Sequence, residues 1–384
     1  MNYPVSISSK LPRVPTSIFA IMSKMANDYG ALNLSQGFPD FPVSEELIAL
    51  VNKYMKAGLN QYSPMPGVLS LRGAISEKVK FLYGASYNAE TEVTVTAGAT
   101  QALFTAIMAL VKEGDEVIVF TPAYDSYAPA IELSGGKPIF IKLETPDYNI
   151  NWESVKKVMS SKTRMIIINS PHNPTGSILQ KEDMLALEKI TRDNDIIILS
   201  DEVYEHIIFD DYKHQSVSKF PELAKRSLII GSFGKTFHAT GWKVGYCIAP
   251  DYLTKEFRKI HQFNVFSVNT PVQYAIAEYM QNKENYVRIS SMYQKKRDLF
   301  LKSIEGSRFK PLKCSGTYFQ LLDYSKITKS SDVRYAEKLT KESKIASIPV
   351  SVFYSDIVDH KVLRFCFAKT DDTIVEAAEI LKSI

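Results

Sequence analysis

The sequence contains few cysteines and no long uncharged apolar run. Its 384 residues include three cysteines, which lie far apart and form no CxxC pair. An odd number without close spacing argues against a disulfide framework and against a zinc site. No apolar run approaches the length of a membrane span, and the N-terminus lacks a basic start followed by an apolar stretch. We therefore expect a metal-free protein in a reducing cytoplasm, with no membrane partner.

An excess of charge of one sign is also missing. The 46 Lys and Arg residues are nearly balanced by 42 Asp and Glu residues, which leaves a net charge of +4. Nucleic-acid binding needs clustered basic side chains, and the short basic run at 295–297 is typical of a solvated helix face. No nucleic-acid partner is predicted. The remaining composition is that of a globular enzyme with a sizeable core.

The hydrophobic pattern changes twice along the chain. Residues 1–42 read as an extended arm, a short helix over Ile18–Ala26 and an irregular stretch over 33–42, and helices are expected over Ser44–Met55 and Gly67–Phe81. From about residue 91, nearly unbroken apolar strands alternate with helices, which indicates a mostly parallel sheet covered by helices. After about residue 285, longer charged helices mix with separated strands. We predict an α/β fold with a large domain over 43–284 and a smaller α+β domain over 285–384, to which residues 1–42 belong.

Polar side chains follow the ends of four buried strands, where ligands of open α/β sheets bind. The residues at these ends are Asn173, Asp201 with Tyr204, Ser232 with Lys235, and the helix start at 98–101. Each has a structural alternative: Asp201 as a helix N-cap, Asn173 as a turn residue, Tyr204 as core and Lys235 as a surface lysine. Together they place a lysine, an acid, a phenol, an amide and an anion-binding helix start at one crevice.

Three competing motifs are excluded, because the sequence lacks residues that each of them requires. The run Gly234-Lys235-Thr236 resembles the end of a P-loop, but position 229 is Ile where that motif needs Gly. The run from Ser232 to Lys235 fits SxxK, but the SDN and KTG elements of penicillin-binding enzymes are absent from the sequence. No GxGxxG is present for a dinucleotide.

Five segments occur in an order that resembles class I/II aminotransferases, which are PLP-dependent enzymes of transferase fold type I. They are LNLSQGFPDF, TAGATQAL, PHNPTG, SDEVYE and SFGKTFHATGWKVGY. The resemblance spans nearly the whole chain and is greatest to bacterial methionine aminotransferases, then to kynurenine–oxoglutarate transaminases of the glutamine transaminase K group. It implies a large domain with a sheet of the seven-stranded type. It also implies transfer of the amino group of a neutral L-amino acid to a 2-oxo acid, with methionine favoured and aromatic amino acids possible.

The resemblance assigns a cofactor role to each strand-end residue. Lys235 would carry pyridoxal 5'-phosphate through a Schiff base and later move the substrate's Cα proton. Asp201 would pair with the protonated pyridine nitrogen, and Tyr204 and Asn173 would donate to the 3-oxygen. The phosphate would contact Gly98, Ala99, Thr100, Ser232 and Lys243, and Tyr124 would stack on the ring. Many relatives have Arg where this chain has Lys243. The Lys243 side chain is therefore expected to contribute a positive charge to the phosphate contact, but not the planar fork of hydrogen bonds that a guanidinium makes.

The substrate and the partner subunit are assigned in the same way. Arg364 would bind the substrate carboxylate with Gly37 and Asn173, and Tyr62 would reach the phosphate in the other subunit of a homodimer. Phe19 and Phe38 are candidates for an apolar substrate pocket, with core packing as the alternative.

Two other functions stay open at this point. A cysteine-S-conjugate β-lyase or a kynurenine–oxoglutarate transaminase would use the same lysine and cofactor. A non-catalytic binding or regulatory protein is disfavoured, because Lys235, Asp201 and Arg364 are all present.

Overall fold

The computed structural model describes residues 7–356 and 358–384, so residues 1–6 of the expected arm lie outside the described part. The helices are α1 Ile18–Tyr29, α2 Glu45–Lys56, α3 Leu69–Tyr83, α4 Ala99–Leu110, α5 Tyr127–Leu133, α6 Trp152–Val158, α7 Lys181–Thr191, α8 Pro221–Ala224, α9 Phe233–Thr236, α10 Asp251–Asn264, α11 Thr270–Tyr279, α12 Glu284–Val287, α13 Ile289–Ser303, α14 Asp332–Glu342 and α15 Asp371–Ser383. The strands are β1 Leu32–Asn33, β2 Val93–Thr96, β3 Glu116–Thr121, β4 Lys137–Lys142, β5 Thr163–Asn169, β6 Ile197–Asp201, β7 Ser227–Ser232, β8 Gly245–Ile248, β9 Lys310–Pro311, β10 Phe319–Asp323, β11 Ile345–Ala346, β12 Ile348–Pro349 and β13 Val362–Cys366.

A seven-stranded sheet organises the larger part of the molecule, and the predicted α/β fold is confirmed. Its strand order is β2-β8-β7-β6-β5-β3-β4, and every neighbouring pair is parallel except the two pairs that β8 makes. Strands β6 and β7 are buried at every residue. Their unbroken apolar runs reflect burial on both faces. The parallel strands therefore bring the ends of β5, β6 and β7 to one edge.

A smaller antiparallel sheet lies in the C-terminal part of the chain, in the order β12-β13-β10-β9. The N-terminal segment joins this part, since β1 pairs in parallel with β11 through Leu32 opposite Ile345 and Asn33 opposite Ala346. Met22 and Leu34 share a buried core with Phe365 of β13. The domain limits at 42/43 and 284/285 stay a prediction.

Helix α2 differs in one respect from its expected packing. Ser44 precedes it as the N-cap residue, yet its side chain makes no cap hydrogen bond. Leu47 is buried, whereas Ile48 and Met55, expected on the same buried face, are 48% and 44% exposed. The helix packs mainly against α11, which covers only part of its apolar face. Across residues 7–356 and 358–384, no helix combines the length and the apolar character needed to cross a membrane.

Candidate active site

A cavity of about 220 Å³ opens at the ends of β5, β6 and β7. The structure brings ten of the residues selected from the sequence to its wall: Gly98, Ala99, Thr100, Tyr124, Asn173, Asp201, Tyr204, Ser232, Lys235 and Lys243. Parallel pairing brings the ends of β5, β6 and β7 to one edge of the sheet. The end of β2 lies at the same edge, because β2 is antiparallel to β8 and β8 is antiparallel to β7.

One end of the cavity is suited to an anion. Helix α4 begins at Ala99, and its N-cap residue Gly98 has a φ of +79° and no side chain to cap the helix. The first N–H groups of the helix have no intrahelical acceptor and lie at its positive end. A Cβ added to Gly98 would lie 3.3 Å from the Lys243 Nζ atom, so this amine lies beside the helix start. The Thr100 and Tyr124 hydroxyl oxygens are 3.2 Å apart at the same end.

The wall of the cavity also carries a buried carboxyl group. Asp201 is 3% exposed, and its Oδ2 atom accepts a hydrogen bond of 2.5 Å from the Tyr127 hydroxyl. The Val203 N–H donates to Oδ1 at 3.3 Å. Burial raises the pKa of Asp201 to about 6, although the Tyr127 hydrogen bond opposes this rise. A cationic group placed in the cavity would lower that pKa again and hold the carboxylate charged.

Lys235 lines the same cavity. Its Nζ atom donates to the Gly37 carbonyl at 3.0 Å and to the Tyr318 hydroxyl oxygen at 2.9 Å. Enclosure by the protein lowers the pKa of this amine to about 8, and the nearby Arg364 and Lys243 charges act in the same direction. A substantial fraction of the amine is therefore neutral near pH 7–8, as a nucleophile or a base requires.

Arg364 lies beside the cavity as a buried cation with an incomplete set of partners. Its guanidinium donates to the Asn173 Oδ1 atom at 2.7 Å and to the Ser35 carbonyl at 3.1 Å, and it lies 3.8 Å from the Phe319 ring centroid. Burial lowers its pKa to about 10, which leaves it charged at neutral pH. The buried Nε–H has no hydrogen-bond partner among the described residues. Because a buried unpaired donor is costly, this group is suited to an anionic ligand.

The remaining sequence candidates lie at different distances from the cavity. The Phe19 ring centroid is 5.2 Å from the guanidinium carbon of Arg364, so Phe19 lies beside this cation. Phe38 is 44% exposed and does not line the cavity, because its ring lies beside Lys369. Tyr62 is 82% exposed and packs edge-on against Phe266, so within one chain it does not reach the cavity.

Tyr127 and Tyr318 contact the site and were not selected from the sequence. Tyr127 lies six residues beyond β3, a strand end that also carries Tyr124, so examination of that fifth strand end would have found it. Tyr318 precedes β10 in the C-terminal part, where no pattern in the sequence links it to Lys235.

A mostly parallel sheet therefore carries one cavity that is lined by a buried lysine amine, a buried carboxyl group and an uncapped helix start. The chain belongs to the aminotransferase class I and II family, whose model matches residues 29–381. Members of this family use pyridoxal phosphate, and the protein is a transaminase.

Individual relatives cover the whole chain. It is 46% identical over 384 residues to a methionine aminotransferase of Escherichia coli K12, an alignment that covers 100% of both chains. It is 33% identical to human kynurenine–oxoglutarate transaminase 3, with 100% of this chain and 91% of that protein covered. The crystal structure of an E. coli protein identified as a methionine aminotransferase matches with a TM-score of 0.97 over 99% of this chain and 100% of that one, at 46% identity. An N-succinyldiaminopimelate aminotransferase from Mycobacterium tuberculosis matches with a TM-score of 0.95 at 32% identity over 98% and 100%.

Proposed function

We propose that this protein binds pyridoxal phosphate and transfers the amino group of methionine, or of another neutral L-amino acid, to a 2-oxo acid. The observation that carries the proposal is that the Lys235 amine, the Asp201 carboxyl group and the start of α4 line one cavity. The methionine preference is supported by the 46% identity to a methionine aminotransferase along the full chain.

The cavity residues fit the cofactor at both of its ends. The uncapped N–H groups after Gly98 and the neighbouring Lys243 amine suit a phosphate dianion. Asp201 lines the same cavity as an acid whose burial favours a cationic partner such as a protonated pyridine nitrogen. The Oδ1 atom of Asn173 accepts from Arg364, so its Nδ2 amide would be the donor to the ring oxygen, and the Tyr204 side chain lines the same cavity.

When bound, pyridoxal phosphate supplies an aldehyde that takes up amines and a ring that accepts the electrons left when the substrate Cα loses its proton. Lys235 would hold the aldehyde carbon, and its amine, when free, would be the base for the Cα proton. Its lowered pKa of about 8 keeps a useful fraction neutral. Asp201 would hold the ring nitrogen in its protonated form. Arg364 would fix the substrate carboxylate and thereby orient the Cα–H bond toward Lys235.

A second cavity supports a neutral side chain on the substrate. It measures about 470 Å³ and adjoins the first at Tyr124, which lines both. Most of its wall is apolar and includes Val14, Ile18, Ile21, Phe140, Val352 and Phe353. An unbranched thioether side chain would bury apolar surface there at about 25 cal/mol per Å².

We also propose that the protein acts as a homodimer in which Tyr62 serves the partner's site. Tyr62, Phe263 and Phe266 are 82%, 86% and 50% exposed, and Ile48 and Met55 add further exposed apolar side chains. Several large exposed apolar residues in neighbouring segments are typical of a protein interface. Mixing a Lys235→Ala variant with a Tyr62→Ala variant should restore activity, because one hybrid site then holds both native residues. A monomer in solution, or no restoration in a verified hybrid, contradicts this arrangement.

The function itself is tested by a half-reaction. The protein is loaded with pyridoxal phosphate and mixed with methionine, phenylalanine or kynurenine, while absorbance follows conversion to the pyridoxamine form. Conversion is expected to be fastest with methionine, and the Lys235→Ala variant should convert none of the three donors. Pyruvate release from a cysteine S-conjugate at a higher rate than any transamination would instead favour a β-lyase. No conversion with any donor rules out the proposed function.

A further inference from the structure

Tyr318 contacts the reacting amine but has no part in the mechanism above. It is fully buried directly before β10, and its ring lies edge-on to Tyr204 with centroids 5.2 Å apart. Its hydroxyl oxygen accepts from the Lys235 Nζ atom at 2.9 Å and its hydroxyl proton is directed to the Gly37 carbonyl. Three distant parts of the chain therefore meet at one amine.

The direction of each hydrogen bond follows from the groups involved. A carbonyl oxygen only accepts, so both Tyr318 and Lys235 must donate to Gly37. The Tyr318 hydroxyl has one proton, which Gly37 takes, and its lone pairs are then available to the Lys235 amine. A neutral amine has two N–H bonds and one lone pair. Because the Gly37 carbonyl and the Tyr318 oxygen lie on the same side of the nitrogen and take up its N–H bonds, the lone pair points away from both.

Close packing holds this arrangement in place. A Cβ added to Gly37 would lie 2.8 Å from the Phe319 ring, so the backbone at Gly37 rests directly on residues 318–319. Two residues earlier, the Ser35 carbonyl accepts from Arg364. The segment that receives the Lys235 amine is therefore also attached to the arginine proposed to bind the substrate carboxylate.

We propose that Tyr318 is a positioning residue that, with the Gly37 carbonyl, holds the two hydrogens of the neutral Lys235 amine so that its lone pair faces the substrate Cα–H bond. This inference rests on the proposed aminotransferase function. The charged and titratable groups around the amine, Asp201, Arg364, Lys243 and Cys366, influence its protonation, whereas Tyr318 sets its direction.

The test compares Tyr318→Phe with Tyr293→Phe. Each variant removes one hydroxyl from a fully buried tyrosine and keeps the ring. The Tyr293 ring packs 5.6 Å from that of Tyr318, but its hydroxyl pairs with His238 at 3.0 Å and not with Lys235. The pyridoxal phosphate–loaded proteins are mixed with methionine and with α-deuterated methionine, and the rate of conversion to the pyridoxamine form is measured.

Tyr318→Phe is expected to slow conversion about ten- to a hundredfold, because a misdirected base loses the benefit of orientation. Its apparent binding of methionine should change less than about twofold, since Arg364 is untouched, and the deuterium isotope effect should rise as proton transfer becomes slower. Tyr293→Phe should stay within about twofold of the parent protein. The isotope effect is a ratio within one sample, so it does not depend on the folded fraction.

A second measurement separates this inference from the proposed function. Cofactor-free protein is mixed with pyridoxal phosphate, and the rate at which the cofactor absorbance of the lysine adduct appears is recorded against pH. Tyr318→Phe should capture the cofactor more slowly than Tyr293→Phe at each pH, even if methionine is not a substrate. Equal capture rates in the two variants, or parental conversion with an unchanged isotope effect in Tyr318→Phe, overturns the role of Tyr318. A parent protein that converts no amino donor overturns the proposed function instead.

Discussion

Replacement of Asp201 by Asn should stabilise the cofactor-free protein while it removes the cofactor's acid partner. Burial raises the pKa of this carboxyl group from its ordinary value of 3.8 to about 6. At about 1.4 kcal/mol per pH unit, the charged carboxylate costs the folded protein about 3 kcal/mol above pH 6. Between pH 3.8 and 6 the folded state binds more protons than the unfolded state, so this contribution to stability falls as pH rises. Asn keeps the shape and carries no charge at any of these pH values.

Thermal unfolding of the cofactor-free protein provides the assay. With about 2.1 cal/mol/K of unfolding entropy per residue and 384 residues, 3 kcal/mol corresponds to about 4 °C in Tm. The Tm of Asp201→Asn should exceed that of the parent by up to about this amount at pH 7, and the difference should shrink toward pH 4. Tyr127→Phe serves as the opposite control, because it removes the donor to the carboxylate and should lower Tm at pH 7. A difference between parent and Asp201→Asn that is independent of pH would refute the reasoning.

Three further substitutions test other parts of the structure. Lys78→Met should lower the free energy of unfolding by about 3–5 kcal/mol in urea titrations, because it leaves the Glu205 carboxylate buried without its cation. The double variant that also carries Glu205→Gln should recover part of this loss. Gly98→Ala should weaken pyridoxal phosphate binding about tenfold in an absorbance titration, since it adds a Cβ at a φ of +79° and 3.3 Å from the Lys243 amine. Arg364→Lys should lower kcat/KM for methionine about ten- to a hundredfold at unchanged cofactor affinity, because an ammonium cannot replace the guanidinium fork.

The sequence predicted those parts of the site that depend on strand ends. Lys235 and Asp201 directly follow apolar runs, and parallel pairing of β5, β6 and β7 necessarily brings such residues to one edge. Tyr318 could not be placed in this way, because its contact with Lys235 spans 83 residues and depends on how the antiparallel sheet packs over the cavity. The antiparallel direction of β8 was likewise not apparent, since a short apolar run looks the same in either direction. The roles of all the site residues stay predictions, and Tyr62 and Phe38 in addition do not line the cavity within one chain.

The segment from Asp201, the last residue of β6, to Glu205 explains how a carboxyl group with an unfavourable charge is kept in place. Its side chains alternate between two environments: Asp201 and Tyr204 line the cavity, whereas Glu202 bonds Ser200 and His214, and Glu205 bonds Lys78, Tyr83 and Tyr246. Buried carboxylates are tolerated only when they are paired and hydrogen-bonded, so Glu202 and Glu205 each require a fixed geometry. That requirement fixes the backbone that directly follows Asp201, so Asp201 cannot move toward solvent to relieve the cost of its charge. The Lys78–Glu205 ion pair and the Glu202 hydrogen bonds, which lie outside the cavity, thus hold the acid inside it, and loss of the Lys78 cation should weaken cofactor binding as well as stability.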